Sequence, residues 1–594
     1  MFIGLSRDHS GRAFSLACTA ALTLTNIRFG RTTRPMATLA SPAIRRSFAE
    51  RWSQAWEQKL EAINQSPGVV LLAICVLYLA LVVPMAVIKL LWADEFVTYY
   101  IAKLNGIQSV WNALGSGADP NPPLSHLLAM WSLRVFGDGA FALRIPSMAA
   151  CLVGVVCVFL FLKRRVPVVY AAMGACFFLS TAALNYAYEG RSYALMMGFS
   201  MLSMLMWVET IEEKRRWAAT TMLAIALGAG IASNYFAVLA FFPIAAGELV
   251  RDVRRKRIEW SVWIALAVGA IPFFLFLPLI NHSISQFAPH AWNKPKLEVV
   301  ADSYTEMIEV VLIPSLAILA FGVLRLLGEK RDRRPAVLPG HEAVAVFTLM
   351  AYPFLGYALA VTRAGMISPR FVLPVCWGFA IATIVMAYQT IPRNAMVSGF
   401  LLLLFFSWAI ARDAFCAYDY VAQRVAFYRV VDTVPPANTL VVADSLLVQP
   451  MFHYAPPQVA SRIVFPLDFN LIQKYKHEDS LEQNFWAGRG VFPVPIVSLA
   501  QLRENPNYVI VATHGNWILQ TLEAGGAPAK MLAIESGDRD IGGFTPLSHG
   551  ATYFFEVGRA LPWDEQYAQS DRDATNGWER THRSRGAVAR GMQQ

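Results

Sequence analysis

The sequence predicts a polytopic α-helical membrane protein with about eleven transmembrane helices, followed by a soluble C-terminal α/β domain. Its 594 residues are 56% hydrophobic and only 15% charged, whereas soluble proteins average about 25% charged residues. Long uncharged segments recur up to about residue 411, and the hydrophobic bias falls beyond it. The seven cysteines show neither a disulfide framework nor the spacing of metal ligands.

Residues 1–66 precede the membrane domain. Residues 1–47 are rich in Arg, Ser and Thr and contain a single acid, Asp8, a composition that resembles a transit peptide. A disordered or over-extended start, with Met36 as the true initiator, explains it as well, and we favour that interpretation. In residues 48–66, aromatic and aliphatic side chains recur at helical spacing. This pattern predicts an amphipathic helix on the membrane surface.

Spanning segments occupy residues 67–411. The uncharged stretch 69–88 has about the twenty residues that an α-helix needs to cross a hydrocarbon core of roughly 30 Å. Several later candidates are shorter, and the segments on either side of Asn234 are either two spans or one long bent span. The candidates lie near 69–91, 141–162, 167–184, 192–208, 218–233, 235–250, 260–280, 307–327, 342–361, 371–391 and 395–411.

Basic residues indicate the topology. Lys and Arg concentrate at 163–165, 214–216, 251–257 and 325–334, after every second span, and the positive-inside rule makes such loops cytoplasmic. The net charge of +10 therefore reports topology and does not indicate a nucleic-acid partner. An odd number of spans puts the outer loop 93–139 and all residues after 412 outside the cytoplasm. We expect a bacterial inner-membrane protein with a periplasmic C-terminal domain.

Residues 412–564 are predicted to form this extracytoplasmic α/β domain. The stretches "NTLVVADS" and "NYVIVAT" are typical of short buried strands, and "NWILQTLEAGG" of a helix that ends at glycine. No motif here indicates a function. The polar tail 565–594 is predicted to be disordered.

Several motifs fall on the outer side. An acidic pair in "WADEFVTYY" follows the first span, and "DPNPPL" and "FGDGAFALRIPS" lead into the second. "GRSYAL" follows the third span, and "PRFVLP" comes late. In order and sidedness these motifs resemble the GT-C fold glycosyltransferases, most nearly the protein O-mannosyltransferase, aminoarabinose transferase and RgtA/B/C/D-like set. The resemblance covers 90–200 well, 360–375 weakly and the C-terminal domain hardly at all.

The resemblance implies transfer of a hexosyl or pentosyl unit from a polyprenyl-phosphate-linked donor to a hydroxyl on a glycan, lipid or protein acceptor. A single displacement with one general base inverts the anomeric carbon, and the resemblance makes Asp94 that base. Glu95 points about 100° away on a helix, so it is expected to orient the acceptor, pair with a basic group or help to hold a metal. Alternatively, both acids are favourable charges at the N-terminus of a surface helix.

Cations are expected at the leaving phosphate, because its negative charge grows as the bond to the sugar breaks. Arginine suits this role since its planar fork bonds two phosphate oxygens at once. Arg191 and Arg370 match basic positions of the family's motifs, and Arg363 is a third candidate. The alternative for each is snorkelling toward lipid headgroups.

Asp119, Asn121 and Tyr188 are the candidate substrate-binding residues. The family often has His or Lys directly before Pro-Pro, but this chain has Asn121, whose amide can bond sugar hydroxyls and carries no charge. The alternative is a rigid proline turn in which Asp119 caps the next helix. No cofactor is firmly implied, although His282 or His290 with a carboxylate would suit a divalent metal.

Other functions remain as alternatives. A lipid or glycan transporter or flippase would carry inverted repeats and charges near the membrane centre, and neither is evident. The others are a non-catalytic envelope assembly protein and a polymerase or ligase with a diphosphate-linked donor. A carboxylate and arginines on one outer face favour an enzyme that works among membrane lipids.

Overall fold

Two compact units make up the chain in the computed structural model. The membrane unit comprises the described residues up to Lys89 together with Val97–Asp419. The C-terminal unit comprises Leu90–Phe96 together with the described residues from Tyr420 onward. The N-terminal segment 1–47, the start of the interfacial helix and the tail 565–594 lie outside the described residues. The structure describes 55–211, 215–328, 337–390, 395–434, 439–504, 508–513, 516–526, 529–535 and 552–557.

Apolar helices dominate the membrane unit, as the composition predicts. A helix at 55–65 precedes them, within the predicted interfacial segment. The first helices are Pro67–Ile88, Ala93–Ala102, Ile107–Gly115, Pro123–Phe136, Ala140–Lys163, Val168–Leu179, Tyr193–Glu209 and Arg216–Ser233, with 3₁₀ turns Ala182–Tyr188 and Tyr235–Ala240. The later helices are Phe241–Arg255, Trp260–Gly269, Ile271–Leu275, Leu277–Phe287, Glu298–Ile308, Leu312–Gly328, Gly340–Met350, Tyr352–Leu359, Val375–Thr390 and Ala395–Asp432, with short turns Glu309–Val311, Ala360–Ala364 and Pro369–Val372.

Many of the predicted spans are bent or short. Among the described residues, 4 helices are long and apolar enough to cross a membrane, or up to 7 segments if each bent pair is one span. The bent pairs change direction by 74°, 53° and 56°, and two further apolar helices, Tyr193–Glu209 and Val375–Thr390, are shorter. The number of spans, about eleven by sequence, therefore stays a prediction. The four long helices are Pro67–Ile88, Ala140–Lys163, Glu298–Arg325 and Val397–Asp432. The third runs through the short turn Glu309–Val311, and the fourth is most of the helix Ala395–Asp432.

Close helix packing builds the interior of the membrane unit. Gly198 lies so near a neighbouring helix that an added Cβ would stand 2.1 Å from the carbonyl oxygen of Ala150. Small residues allow such close approach between membrane helices. Nearby, the rings of Phe178 and Trp377 stack with centroids 4.2 Å apart.

A sharp bend after Leu179 positions part of the candidate site. The helix Val168–Leu179 and the 3₁₀ turn Ala182–Tyr188 meet at 74°, and Glu189 then takes an extended conformation. All residues from 180 to 192 are buried. Irregular backbone at membrane depth requires such burial, because hydrocarbon offers no hydrogen-bond partners.

The last helix of the membrane unit is longer than the sequence predicted. We expected a span that ends near residue 411, but the helix continues to Asp432. Arg412, which interrupts the apolar run, is buried and donates to Glu309 and to Asn185 at 3.0 Å each. Its charge is thus satisfied by side chains distant in sequence, which the hydropathy pattern does not reveal.

The C-terminal unit has the predicted α/β fold. Its described strands form one sheet in the order β3-β2-β1-β4-β6-β5, in which the first four are parallel and β6 runs antiparallel to β4 and β5. The strands are β1 Thr439–Val442, β2 Ile463–Pro466, β3 Ile496–Val497, β4 Tyr508–Thr513, β5 Ala529–Glu535 and β6 Thr552–Val557. The helices are Val448–Tyr454, Pro457–Ala460, Phe469–Tyr475, Ser480–Ala487, Leu499–Glu504 and Trp517–Ala524.

Candidate active site

Asp94 and Glu95 lie in the first turn of the helix Ala93–Ala102. Glu95 is fully buried, and its Oε2 accepts a hydrogen bond of 3.4 Å from the backbone N–H of Trp92. This contact resembles the carboxylate half of a capping box, which satisfies a backbone donor at a helix start. Asp94 is partly exposed. The two acids therefore have different surroundings, as their helical spacing predicts.

Contacts inside the C-terminal unit hold the segment that carries the acidic pair. The backbone N–H of Leu91 donates to the hydroxyl of Tyr454 at 2.9 Å. The ring of Phe96 lies 5.0 Å from that of His453 and 6.0 Å from that of Tyr454, measured between centroids. The helix Val448–Tyr454 thus fixes the backbone on both sides of Asp94.

Asp119 and Arg191 form a buried ion pair in the membrane unit. Nη1 of Arg191 donates to Oδ2 of Asp119 at 2.6 Å and to Oγ1 of Thr98 at 2.9 Å. Oδ1 of Asp119 accepts hydrogen bonds from the backbone and side-chain amides of Asn121, at 3.0 and 2.7 Å. Asp119 therefore fixes a turn and orients the arginine. It does not cap the following helix, whose N-cap is Pro122 without a side-chain hydrogen bond.

Asn121 belongs to a chain of side-chain hydrogen bonds. Its Oδ1 accepts from the hydroxyl of Ser192 at 3.0 Å, and that hydroxyl accepts from Nδ2 of Asn234 at 2.9 Å. The side chain of Asn234 in turn caps the 3₁₀ turn that begins at Tyr235. Asn121 thus links the turn before the helix Pro123–Phe136 to two other segments, and its predicted contact with sugar hydroxyls stays a prediction.

Burial and pairing set the charge state of this cluster. Burial opposes ionisation of Asp119, but Arg191, His126 and the hydrogen bonds outweigh it, so the pKa of Asp119 lies below its usual value. Nε2 of His126 lies 3.6 Å from Oδ2 of Asp119. Burial, helped by the Arg191 charge, nevertheless lowers the pKa of His126 to about 4. At neutral pH the cluster holds one carboxylate, one guanidinium and one neutral imidazole.

Arg370 lies in the 3₁₀ turn Pro369–Val372 and is 9% exposed. Its guanidinium carbon is 5.4 Å from the ring centroid of Tyr193 and 6.0 Å from that of Phe371. Both distances fall within the range of cation–π interactions. Since Tyr193 follows Arg191 by two residues, the fold brings the late "PRFVLP" motif to the earlier "GRSYAL" motif.

Two other candidates have different surroundings. Arg363 is exposed and donates to Oδ1 of Asn281 at 3.2 Å. Tyr188 is fully buried, and its hydroxyl donates to Oδ1 of Asn185 at 2.6 Å. Arg412 donates to the same oxygen at 3.0 Å. Tyr188 thus braces the bend before Arg191, and its predicted role in substrate binding is a hypothesis.

Sequence analysis missed a second buried ion pair. Nζ of Lys89 lies 2.6 Å from Oε1 of Glu189, and both side chains are almost fully buried. Arg144 donates to the carbonyl of Lys89 at 2.7 Å, which fixes the exit from the first span. One signal was present, since Lys89 is the charge that ends the first uncharged segment. Its partner lies 100 residues away, and only the fold brings the two together.

No metal site emerges from the described part of the chain. Within it, no group of three or more His, Cys, Asp or Glu side chains is placed to hold a metal ion. One carboxylate oxygen of Glu95 accepts a hydrogen bond from the backbone at the helix start. His282 is exposed on the helix Leu277–Phe287.

Comparison with known families matches the same region. Residues 120–282, roughly a quarter of the chain, match the family model of dolichyl-phosphate-mannose-protein mannosyltransferases. The match begins directly after Asp119 and includes Asn121, Tyr188 and Arg191. No curated protein matches the chain.

The fold is shared with a solved structure at low sequence identity. The apo structure of ArnT from Cupriavidus metallidurans superimposes with a TM-score of 0.50 at 11% identity, over 82% of this chain and 97% of that chain. ArnT bound to undecaprenyl phosphate gives 0.49 at 12% identity, with the same coverage of 82% and 97%. Archaeal oligosaccharyltransferase AglB from Archaeoglobus fulgidus, in complex with an inhibitory peptide and a dolichol-phosphate, gives 0.39 at 9% identity, over 83% and 74%. The family match and the fold shared with apo ArnT confirm the predicted GT-C resemblance.

Proposed function

We propose that this chain, a multi-pass membrane glycosyltransferase of the GT-C fold, moves a sugar from a polyprenyl-phosphate-linked donor to a hydroxyl acceptor on the outer face of the membrane. The observation that carries the proposal is the buried Arg191, oriented by Asp119 at 2.6 Å. It lies inside the region that matches a family whose description names a dolichyl-phosphate-linked sugar. An oriented arginine suits a phosphate because its fork geometry matches two phosphate oxygens.

The negative charge of the leaving phosphate explains why the site needs cations. The donor phosphodiester carries one negative charge, and the released phosphomonoester carries nearly two. Arg191 and Arg370 would therefore interact more strongly with the transition state than with the bound donor, which lowers the barrier. Asp119 keeps the Arg191 guanidinium in one orientation, and Arg370 is held against two aromatic rings. Their preorganisation in buried positions makes each charge more effective than it would be in water.

Asp94 acts as the general base in this proposal. The acceptor hydroxyl attacks the anomeric carbon, its proton passes to Asp94, and the bond from that carbon to the phosphate oxygen breaks. The electron pair of the broken bond leaves with the polyprenyl phosphate, and the anomeric configuration is inverted. Partial exposure of Asp94 leaves its carboxylate accessible to an acceptor, whereas the buried Glu95 supports the helix start. In this proposal the C-terminal unit lies in the periplasm of a bacterial inner membrane.

The stereochemistry of the product tests this function. Purified protein is incubated with polyprenyl-phosphate glucose, mannose, galactose or arabinose, each labelled with ¹³C at the anomeric carbon, and with an envelope glycan extract. We expect release of polyprenyl phosphate together with a glycoside of opposite anomeric configuration, identified from its NMR coupling constant. Transfer with retention would contradict the single displacement. Absence of transfer from every donor, in protein that remains folded, would contradict the proposed function.

A further inference from the structure

The sheet of the C-terminal unit contains a topological switch point. From β1 the chain moves outward through β2 to β3, and it then returns to place β4 on the other side of β1. In open α/β sheets, ligands bind outside the carboxyl ends of the strands at such a point. Here the carboxyl ends of β1 and β4 are joined directly, because Nδ2 of Asn516 donates to the carbonyl of Ala443 at 3.1 Å.

Two buried polar side chains at the carboxyl edge of β1 and β4 have no hydrogen-bond partner among the described residues. Gln449, which is 0% exposed, lies in the first turn of the helix after β1, and neither atom of its amide has a hydrogen-bond partner among the described residues. Trp517, which is 2% exposed, begins the helix after β4, and its indole N–H also has no partner in the described part of the chain. Buried polar groups are almost always hydrogen-bonded, so two such exceptions at one edge indicate groups that serve a ligand.

The chemistry of the edge favours a neutral, hydroxyl-rich ligand. The turn after β1 reads "ADSLLVQP", with neither a glycine nor a basic residue, so it lacks the usual features of a phosphate-binding loop. Asp444 and Ser445 follow β1 after one intervening residue, Ala443, and both are largely buried. A carboxylate repels phosphate but accepts hydrogen bonds from sugar hydroxyls, as amides and hydroxyls also do. The turn after β1 therefore suits a saccharide better than a nucleotide.

The same edge is connected to the acidic pair within the C-terminal unit. Gln449 and His453 lie four residues apart on one helix, so they share a face. His453 packs against Phe96, and the next residue, Tyr454, accepts the hydrogen bond from Leu91. The helix that carries the unpaired amide is thus the helix that holds the segment around Asp94.

We propose that the carboxyl edge between β1 and β4 binds the saccharide part of a glycan acceptor, with the Gln449 amide and the Trp517 indole N–H as its buried hydrogen-bond partners. This inference rests on the proposed function and gives the C-terminal unit a role in it. The acceptor is held beside the segment that carries the base. The unit thereby selects a glycan in preference to a protein hydroxyl.

Direct binding to the full-length protein in nanodiscs, without any donor, tests the site. The probes are the methyl glycosides of glucose, mannose, galactose and arabinose, with ATP and inorganic phosphate as anionic counterparts, followed by saturation-transfer NMR. The variants are Gln449→Leu and Trp517→Phe, and the matched control is Gln458→Leu at an exposed glutamine. Replacing an unpaired buried amide by an apolar group is nearly neutral for stability, so Gln449→Leu should fold. Trp517→Phe keeps an aromatic ring and provides a second variant.

We expect at least one glycoside to bind, and its affinity to fall roughly tenfold in Gln449→Leu or Trp517→Phe but not in Gln458→Leu. Three results would overturn the inference. They are absence of glycoside binding, equal glycoside binding by all folded variants, and binding of ATP or phosphate alone. Asp94→Asn should bind the glycoside normally, because the site is distinct from the base. Sugar transfer without an effect of these variants on glycoside binding would refute this site and leave the proposed function standing. Glycoside binding that these variants weaken, without sugar transfer by the wild type, would support this site and contradict the proposed function.

Discussion

The carboxylate of Asp119 accepts a hydrogen bond of 2.6 Å from Nη1 of Arg191, and both side chains are buried. This pair joins the segment before the helix Pro123–Phe136 to the segment that follows the bend after Leu179. It leaves the guanidinium charged and oriented, as a leaving phosphate requires. Removing only one partner would leave an uncompensated buried charge, which costs about 3–5 kcal/mol. Variants at this site must therefore separate catalysis from folding.

Arg370→Ala and Arg191→Lys are predicted to lower kcat more than they raise KM for the donor. The cations act mainly on charge that develops during bond breaking, so the expected loss is about 10²–10³-fold in kcat. Arg191→Lys keeps a charge opposite Asp119 but loses the planar fork. The measurement is steady-state transfer of labelled sugar over a range of donor concentrations.

Arg134→Ala, at an exposed arginine of the helix Pro123–Phe136, is the matched control and should behave as wild type. Arg363→Ala should cost least among the three candidate arginines, because Arg363 is exposed. If Arg370→Ala and Arg191→Lys retain wild-type kcat at saturating donor, neither side chain touches the leaving group.

Stability is predicted to fall as the pH drops from about 6.5 to about 4, in part through His126. The pKa of His126 is depressed to about 4 in the folded protein from an ordinary value of 6.5. The unfolded chain therefore binds a proton in this window while the folded chain does not, and linkage makes the folded state less stable. The contribution is present in full above pH 6.5, and its loss amounts to at most about 3 kcal/mol.

The midpoint of thermal unfolding, measured against pH for wild type and His126→Gln, checks this sign. The variant should show a shallower decline between pH 6.5 and 4, whereas His282→Gln, at an exposed histidine, should follow wild type. An unchanged slope in His126→Gln would mean that the buried imidazole does not take part in the acid sensitivity.

The predicted topology places the C-terminal unit outside the cytoplasm and the basic loop 251–257 inside. Since the last helix continues to Asp432, a reporter fused after Asp432 tests the outer end better than one fused after Ala411. We expect the alkaline phosphatase fusion to be active after Asp432 and inactive within 251–257, with green fluorescent protein fusions giving the reverse. An inactive alkaline phosphatase fusion after Asp432 would contradict an odd number of spans. The predicted outer position of the loop 93–139 would then lose its support.

Local patterns predicted much of this fold. The uncharged stretch before Lys89 gave the first long helix, and "NTLVVADS" and "NYVIVAT" gave the adjacent parallel strands β1 and β4. The same patterns missed the 74° bend after Leu179 and the continuation of the last helix through Arg412. Both depend on buried side chains that satisfy irregular backbone or charge across large sequence separations. Hydropathy averages contain no information on such partners.

The sequence predicted which residues belong to the candidate site better than it predicted the contacts between them. Asp119, Asn121 and Arg191 were singled out from separate motifs, and the structure joins them in one hydrogen-bonded cluster. The Lys89–Glu189 pair escaped notice because neither residue belongs to a recognisable motif. The segment around Asp94 also belongs with the C-terminal unit, through a hydrogen bond from Leu91 that spans 363 residues of sequence.

Asp94→Asn tests directly whether Asp94 is the general base of the transfer reaction. The substitution keeps the size of the side chain and most of its hydrogen bonding but removes its capacity to accept a proton. Asp138→Asn is the matched control, at an acid between the helices Pro123–Phe136 and Ala140–Lys163 whose side chain is 55% exposed. Transfer of labelled sugar from purified polyprenyl-phosphate donor is measured in detergent, with donor binding determined on the same samples.

Asp94→Asn is expected to bind donor normally and to transfer sugar roughly 10²–10⁴-fold more slowly than wild type, the usual effect of losing a general base. Asp138→Asn should transfer at the wild-type rate. Near wild-type transfer by folded Asp94→Asn would contradict the role of Asp94 as general base. The acidic pair would then be the favourable charge at the start of a helix.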